Sequence, residues 1–294
     1  MVTFTGMETI GRQSPAGMPA ALVSGGDLLM RERARPVVTT GFRSLDALLP
    51  AGGVRPGSLV EWLAEGDGGP GAGGAASLAF AVACRLAAAG AGDASEATRP
   101  RTILVVDRTG WFHPPAVLPW LDDKRRLVVA RVARDDDEIW AIDQALRCTG
   151  VAAVLAWPRM RSGARSRVTG SQWSTAMRRW QLAAASSGAV GLFVRPMSTR
   201  SESSWAEARI AVSPLPGGGL TERRLRLRLA GGSWSAGVAE DRHVADVMLD
   251  LAKGCAGTVR TSAGLPWSGA IPQMMRLQGG DSCAERGGVA CRAS

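Results

Sequence analysis

The feature that most constrains this chain is an alternation of short aliphatic runs with longer stretches of helical periodicity. The strand candidates are Leu59–Leu63, Ile103–Val106, Leu127–Val132, Val151–Leu155 and Val190–Val194. Between them lie the helix candidates Ser77–Ala89, Asp135–Arg147 and Ser171–Ser187. Alternation of this kind predicts a mostly parallel sheet with helices on both faces. Asp135 followed by Glu138 gives a capping-box-like start, and the acidic first turn suits the positive end of a helix dipole. Ile139, Ile142 and Leu146 then supply an apolar stripe, while Trp173, Met177, Trp180 and Ala184 share one side of the later helix. In Thr221–Ala230, Leu225, Leu227 and Leu229 alternate with Arg224, Arg226 and Arg228, the pattern of a half-buried strand, and Gly231-Gly232 signals a turn after it. A last short helix is expected over His243–Lys253.

These elements define one domain over residues 37–253, with a flexible arm over 1–36 and a disordered tail over 254–294. The chain's 294 residues suffice for one sizeable core. Its longest apolar stretch, Leu78 to Ala89, is too short to span a bilayer, so no membrane partner is expected. No basic segment followed by an apolar run opens the chain, so no signal peptide is expected. The five cysteines make no CxxC pair and no cluster with His113 or His243, which reads as reduced thiols in a cytoplasm and no metal. A net charge of +9 suits a polyanionic partner. Lys stands only at 124 and 253, so the excess is almost all arginine, as GC-rich codon usage would also produce.

The residues Thr40-Gly41-Phe42-Arg43-Ser44-Leu45-Asp46-Ala47-Leu48-Leu49 lead through Gly52-Gly53 to Pro56-Gly57-Ser58-Leu59-Val60-Glu61. This segment resembles the entry to RecA-family cores, where a short helix, a Gly-Gly turn and a strand feed a phosphate loop. Gly69-Pro70-Gly71-Ala72-Gly73-Gly74-Ala75-Ala76-Ser77 follows. A phosphate loop needs G-x-x-x-x-G-K-[ST]: glycines let backbone N–H groups wrap the phosphates, Lys neutralises them and a hydroxyl binds magnesium. Here Gly69 and Gly74 hold the glycine positions, but Ala75 replaces the Lys and Ala76 the Ser or Thr, with Ser77 one place too late. Val105-Val106-Asp107-Arg108-Thr109 resembles the strand where the family has its catalytic Glu, and Thr109 stands there. Ala153-Val154-Leu155-Ala156-Trp157 resembles the strand ending in a magnesium-supporting Asp, and Ala156 or Trp157 holds that place. The glycine run alone also fits a flexible loop.

Together with Asp135-Asp136-Asp137-Glu138-Ile139-Trp140-Ala141-Ile142-Asp143-Gln144-Ala145-Leu146-Arg147 and the Arg-Leu-Arg-Leu strand, this texture resembles the ImuA family. That resemblance, over about residues 40–230, implies an α/β fold built as a RecA-like P-loop core with a C-terminal antiparallel extension. It implies a scaffold without ATPase activity or bound ATP in damage-induced translesion synthesis. The implied partners are an ImuB-like Y-family polymerase homologue, with RecA, a replicative-type polymerase subunit and single-stranded DNA as further candidates. Partner contact is expected from about His243 onward. SulA-like cell-division inhibitors, which bind a tubulin-like protein, stay open as an alternative, and so does a DNA-dependent ATPase recruiting Lys124.

From Gln144 to Arg200 there are nine arginines and no Asp or Glu. In a RecA-like core the loops after the fourth and fifth strands face DNA, here Pro158–Gly170 and Arg195–Trp205. Arg159, Arg161, Arg165 and Arg167 crowd the first, so with Arg178, Arg179, Arg195 and Arg200 they are the expected contacts to nucleic acid or an acidic partner. A solvated basic face is the competing reading. Of the tryptophans, Trp140, Trp173 and Trp180 are expected in the core, Trp111 with Phe112 on an exposed loop, and Trp157 in the vacated phosphate pocket.

Overall fold

The computed structural model describes residues 36–65, 72–89, 102–121, 126–158, 170–217, 219–232 and 244–256. The expected arm up to residue 35, and the expected tail from residue 257 on, lie outside the described residues, whereas Cys255–Ala256 at the start of that tail form a short strand rather than disordered chain. In chain order the elements are helix α1 (Arg43–Leu48), strand β1 (Leu59–Ala64), helix α2 (Ala75–Ala89), strands β2 (Thr102–Val106) and β3 (Arg126–Ala130), and helix α3 (Asp135–Arg147). Strand β4 (Val151–Ala156), helix α4 (Gly170–Ser187) and strands β5 (Val190–Pro196), β6 (Ala208–Leu215), β7 (Glu222–Gly231), β8 (Val244–Asp250) and β9 (Cys255–Ala256) follow. The strands form one sheet in the order β3-β2-β4-β5-β1-β6-β7-β8-β9. Pairing is parallel from β3 across to β6 and antiparallel from β6 to β9.

The expected mixed α/β architecture, with a mostly parallel sheet between helices and an antiparallel C-terminal extension, is present. The segment expected as a helix over His243–Lys253 is instead strand β8, paired along its length with β7. Its buried residues, Val247 and Leu249, are two apart, which is the period of a strand. Leu225 and Leu227 of β7 likewise point into the core while Arg224 and Arg226 face solvent. The sequence reading passed over β6, which pairs parallel with β1 and antiparallel with β7.

Two apolar layers enclose the parallel strands. One face carries Val60, Trp62, Ile103, Val105, Leu155, Leu192 and Val194 beneath α2, and α1 extends the same layer over β7 and β8. Helix α2 is apolar almost all round and buries both Leu78 and Phe80 there. The opposite face carries Leu59, Val106, Val154 and Phe193 beneath α3 and α4, with Ile142, Leu146, Trp173, Met177 and Trp180 as the covering side chains. Trp173 meets Trp180 edge to face at 5.5 Å, and Trp180 meets Phe193 at 5.2 Å. Full burial of each such side chain contributes about 1.5–3 kcal/mol. Trp173 and Trp180 are therefore core residues as expected, whereas Trp140 is not. Its side of α3 faces away from the sheet, leaving it 63% exposed.

Candidate functional site

In open parallel α/β sheets, ligands collect beyond the carboxyl ends of the strands. There β1 runs into Glu65, and a 3-10 turn at Ala72–Gly74 opens directly into α2. Gly73 and Gly74 adopt φ of 75° and 86°, the left-handed region that glycine tolerates best. A Cβ on Gly74 would lie 2.9 Å from Leu225 Cδ2, so this glycine lets the turn close against β7. Gly69, the expected first glycine of a phosphate loop, lies outside the described residues, as does Lys124. The first turn of α2 offers Ala75, which is fully buried, then Ala76 and Ser77. No side-chain cation stands in that turn. Beside it, Glu65 accepts hydrogen bonds from Ser213 Oγ and, at 3.3 Å, from Arg228.

At the end of β2, Asp107 is buried and organises the loop that follows. Its carboxylate accepts bonds from the backbone N–H groups of Thr109 (3.2 Å), Trp111 (3.1 Å) and Phe112 (2.9 Å), and pairs with Arg131 at 3.0 Å. Thr109 Oγ1 also donates to it at 3.3 Å. Thr109 thus serves the turn and offers no carboxylate for proton transfer. Trp111 is exposed as expected, but Phe112 is buried. The Phe112 ring packs 5.5 Å from Phe80 of α2 and 6.2 Å from Trp157 at the end of β4, and Phe80 packs 5.9 Å from Trp120. Trp157 is buried within this aromatic group, and its Nε1–H has no hydrogen-bond partner. Trp120 is fixed in turn by donating to Leu251 O at 2.7 Å.

A second arrangement lies beneath the α3–α4 face. Glu61 is wholly buried in β1 and pairs with Arg195 of β5 at 3.1 Å and Arg209 of β6 at 2.6 Å. Arg195 also binds Glu202 at 2.5 Å and stacks 4.4 Å from the Trp173 ring centre. The connection from β5 to β6 is a short 3-10 turn at Met197–Ser201 followed by irregular chain, so its carbonyls need donors from elsewhere. Arg209 provides them, donating to the carbonyls of Thr199 (2.8 Å), Arg200 (2.8 Å) and Glu202 (3.0 Å). At the far end Arg55 pairs with Glu207 at 2.6 Å. Sequence reasoning passed over Glu61, Arg209 and Glu202. The available signal was the lone carboxylate of Glu61 inside the apolar run Leu59-Val60-Glu61-Trp62-Leu63-Ala64.

The expected nucleic-acid or partner arginines separate into four groups. Arg159, Arg161, Arg165 and Arg167 lie outside the described residues. Arg195, expected on a surface loop, is instead fully buried, because Glu61, Glu202 and the Trp173 ring enclose its guanidinium. Arg200 lies on the strapped connection and is partly buried. Arg178 and Arg179 project from the outer side of α4, Arg178 stacked 4.4 Å from the Trp205 ring centre. Arg179 (3.2 Å) and Arg147 (2.9 Å) share the carboxylate of Asp143. Burial alone would raise that carboxyl's pKa, but the hydrogen bonds and positive charge of Arg147 and Arg179 outweigh it and hold it below the ordinary value. Among the described residues no helix is long and apolar enough to cross a membrane, and no group of His, Cys, Asp and Glu is placed to hold a metal ion. No protein-family model and no curated protein matches this chain.

Proposed function

We propose that this protein is a RecA-like accessory factor without ATPase activity, acting as a scaffold of the ImuA type in DNA-damage tolerance. The observation that carries the reading is the joint replacement at three strand ends on one edge of the sheet. Ala75-Ala76 follow the glycine turn after β1, Thr109 follows β2 and Trp157 follows β4. Binding and hydrolysing a nucleoside triphosphate calls for a cation, a magnesium-binding hydroxyl and carboxylates at such an edge. The passage from β1 through a glycine turn to α2, and the order β3-β2-β4-β5-β1-β6, support the RecA-like part of the reading. The damage-tolerance role rests on the sequence resemblance. An ImuB-like Y-family polymerase homologue is the partner it names, with RecA or single-stranded DNA as further contacts of the arginine-rich segment over 159–167.

Two measurements test the proposal. The purified full chain should release no phosphate from magnesium-ATP, and millimolar ATP should leave its tryptophan fluorescence without a saturable change. An affinity pull-down from DNA-damaged host cells, read by mass spectrometry, should recover a Y-family-like polymerase or RecA. Saturable ATP binding or turnover overturns the inactive-site reading. Recovery of a tubulin-like division protein in their place overturns the damage-tolerance role.

A further inference from the structure

Helix α3 leaves one large aromatic side chain to solvent. Trp140 is the most exposed tryptophan among the described residues, at 63%. It makes neither a hydrogen bond nor a ring contact within the described residues. Asp136, Trp140 and Arg147 are spaced i, i+4 and i+11, which at about 3.6 residues per turn places them in one stripe. That stripe lies away from the buried Ile142 and Ala145, and between Trp140 and Arg147 it also holds Asp143, buried beneath Arg147 and Arg179. It is acidic toward the N-terminal end of the helix, aromatic in the middle and basic toward the C-terminal end. Both charged ends are open to water, with the Asp136 side chain 68% and the Arg147 side chain 54% exposed.

We infer that this stripe is a homodimer seam, on which α3 of a second copy packs antiparallel about a two-fold axis. Parallel packing would set Asp136 against Asp136 and Arg147 against Arg147. Antiparallel packing, with its midpoint between residues 141 and 142, sets each Asp136 opposite the other copy's Arg147. In the same register the two Trp140 residues straddle the midpoint. A rise of about 1.5 Å per residue puts them about 4.5 Å apart along the axis, within reach of offset ring packing. The seam is self-complementary, as a two-fold interface requires. Asp136 gives up no strong contact to form it, whereas Arg147 exchanges the hydrogen bonds it donates to Asp143, at 2.9 and 3.4 Å, for the pair across the seam. Asp136 is held only loosely by Arg134 at 3.7 Å, and if Arg147 turns outward Asp143 keeps Arg179 at 3.2 Å. The indole supplies the buried anchor, and the charges at the rim choose the orientation.

Sedimentation equilibrium of the full chain across the micromolar range is the test. The wild-type protein should show a monomer–dimer equilibrium that weakens as salt is added. Trp140→Ala should raise the dissociation constant by roughly thirtyfold or more, the loss expected of an interface hot spot, while the thermal midpoint measured on dilute, monomeric protein stays unchanged. Asp136→Arg alone should weaken the dimer, and Asp136→Arg combined with Arg147→Asp should restore it. A wild-type chain that stays monomeric overturns the inference, and so does a dimer indifferent to Trp140→Ala. A weakened dimer that the double reversal fails to restore, in a variant still folded by far-UV circular dichroism at the assay temperature, overturns the antiparallel register.

Discussion

Replacing Glu61 by Gln should unfold this protein far more readily than its nearly unchanged shape suggests. The wild-type carboxylate is fully buried and neutralises two guanidiniums, of Arg195 at 3.1 Å and Arg209 at 2.6 Å. Removing one partner of a buried ion pair costs about 3–5 kcal/mol, because the opposite charge stays behind without compensation. Two retained contacts pull the expectation toward the lower end of that range. Arg195 keeps Glu202, and Arg209 keeps the carbonyls of Thr199, Arg200 and Glu202. A loss of about 3 kcal/mol in a domain of this size corresponds to a fall in melting temperature of roughly 6–12 °C. Urea unfolding followed by far-UV circular dichroism should show a lower midpoint at unchanged slope. High salt should not erase the difference, since screening acts weakly on buried pairs. Combined with Arg195→Met, the two losses should fall short of additivity by about 1–3 kcal/mol, as neighbours in one network do. A loss for Glu61→Gln below about 1 kcal/mol, or strict additivity, would refute the claim that one buried carboxylate balances both arginines.

Three further outcomes follow from the same geometry. Gly74→Ala forces a side chain into φ 86° and toward Leu225 Cδ2 at 2.9 Å, so it should destabilise by about 1–3 kcal/mol in urea; an unchanged midpoint would show that the turn does not close on β7. Asp143 has a folded-state pKa below its unfolded value near 3.9, so its contribution is complete above that value and is lost as pH falls through the folded-state pKa. The stability gap between wild type and Asp143→Asn should therefore narrow as pH drops below about 4, and a gap constant down to pH 2 would contradict the pairing with Arg147 and Arg179. The Arg226–Asp246 pair has side chains 53% and 38% exposed, so Arg226→Ala should leave the unfolding midpoint where it was.

Much of the fold was legible because the core strands are unusually uniform. Leu59–Ala64 and Val151–Ala156 are buried at every position, and such runs between helical patterns admit few architectures besides a parallel sheet covered on both faces. Helix α3 starts at Asp135 as expected, but the capping box does not form: Arg134 is the N-cap without a side-chain cap bond, and Asp135 and Glu138 both pair with Arg108. Strand β8 was misread because Val244-Ala245-Asp246-Val247-Met248-Leu249-Asp250 is short and carries apolar residues at both helical and strand spacing. Its pairing with β7 decides the matter, and that contact is formed by residues sixteen or more positions apart. Strand β6 escaped notice because Arg209 interrupts its apolar run, although that arginine is buried and paired.

The site was harder to read for the same physical reason. A sequence shows which residues carry charge, but not which charges have met one another. Arg195 and Arg178 look alike in an acid-free stretch, yet Arg195 meets Glu61 from a strand more than a hundred residues earlier while Arg178 stacks on the face of Trp205. Bulk arginine content therefore overstates the basic surface available to a polyanion, since Arg195 and Arg209 are spent on Glu61 and on the β5–β6 connection. At the carboxyl ends of the strands the glycine turn closes on Leu225, and the rings of Phe80, Phe112 and Trp157 pack against one another. The charges left to the surface among the described residues include Arg178 and Arg179 on the outer side of α4 and Asp136 on α3.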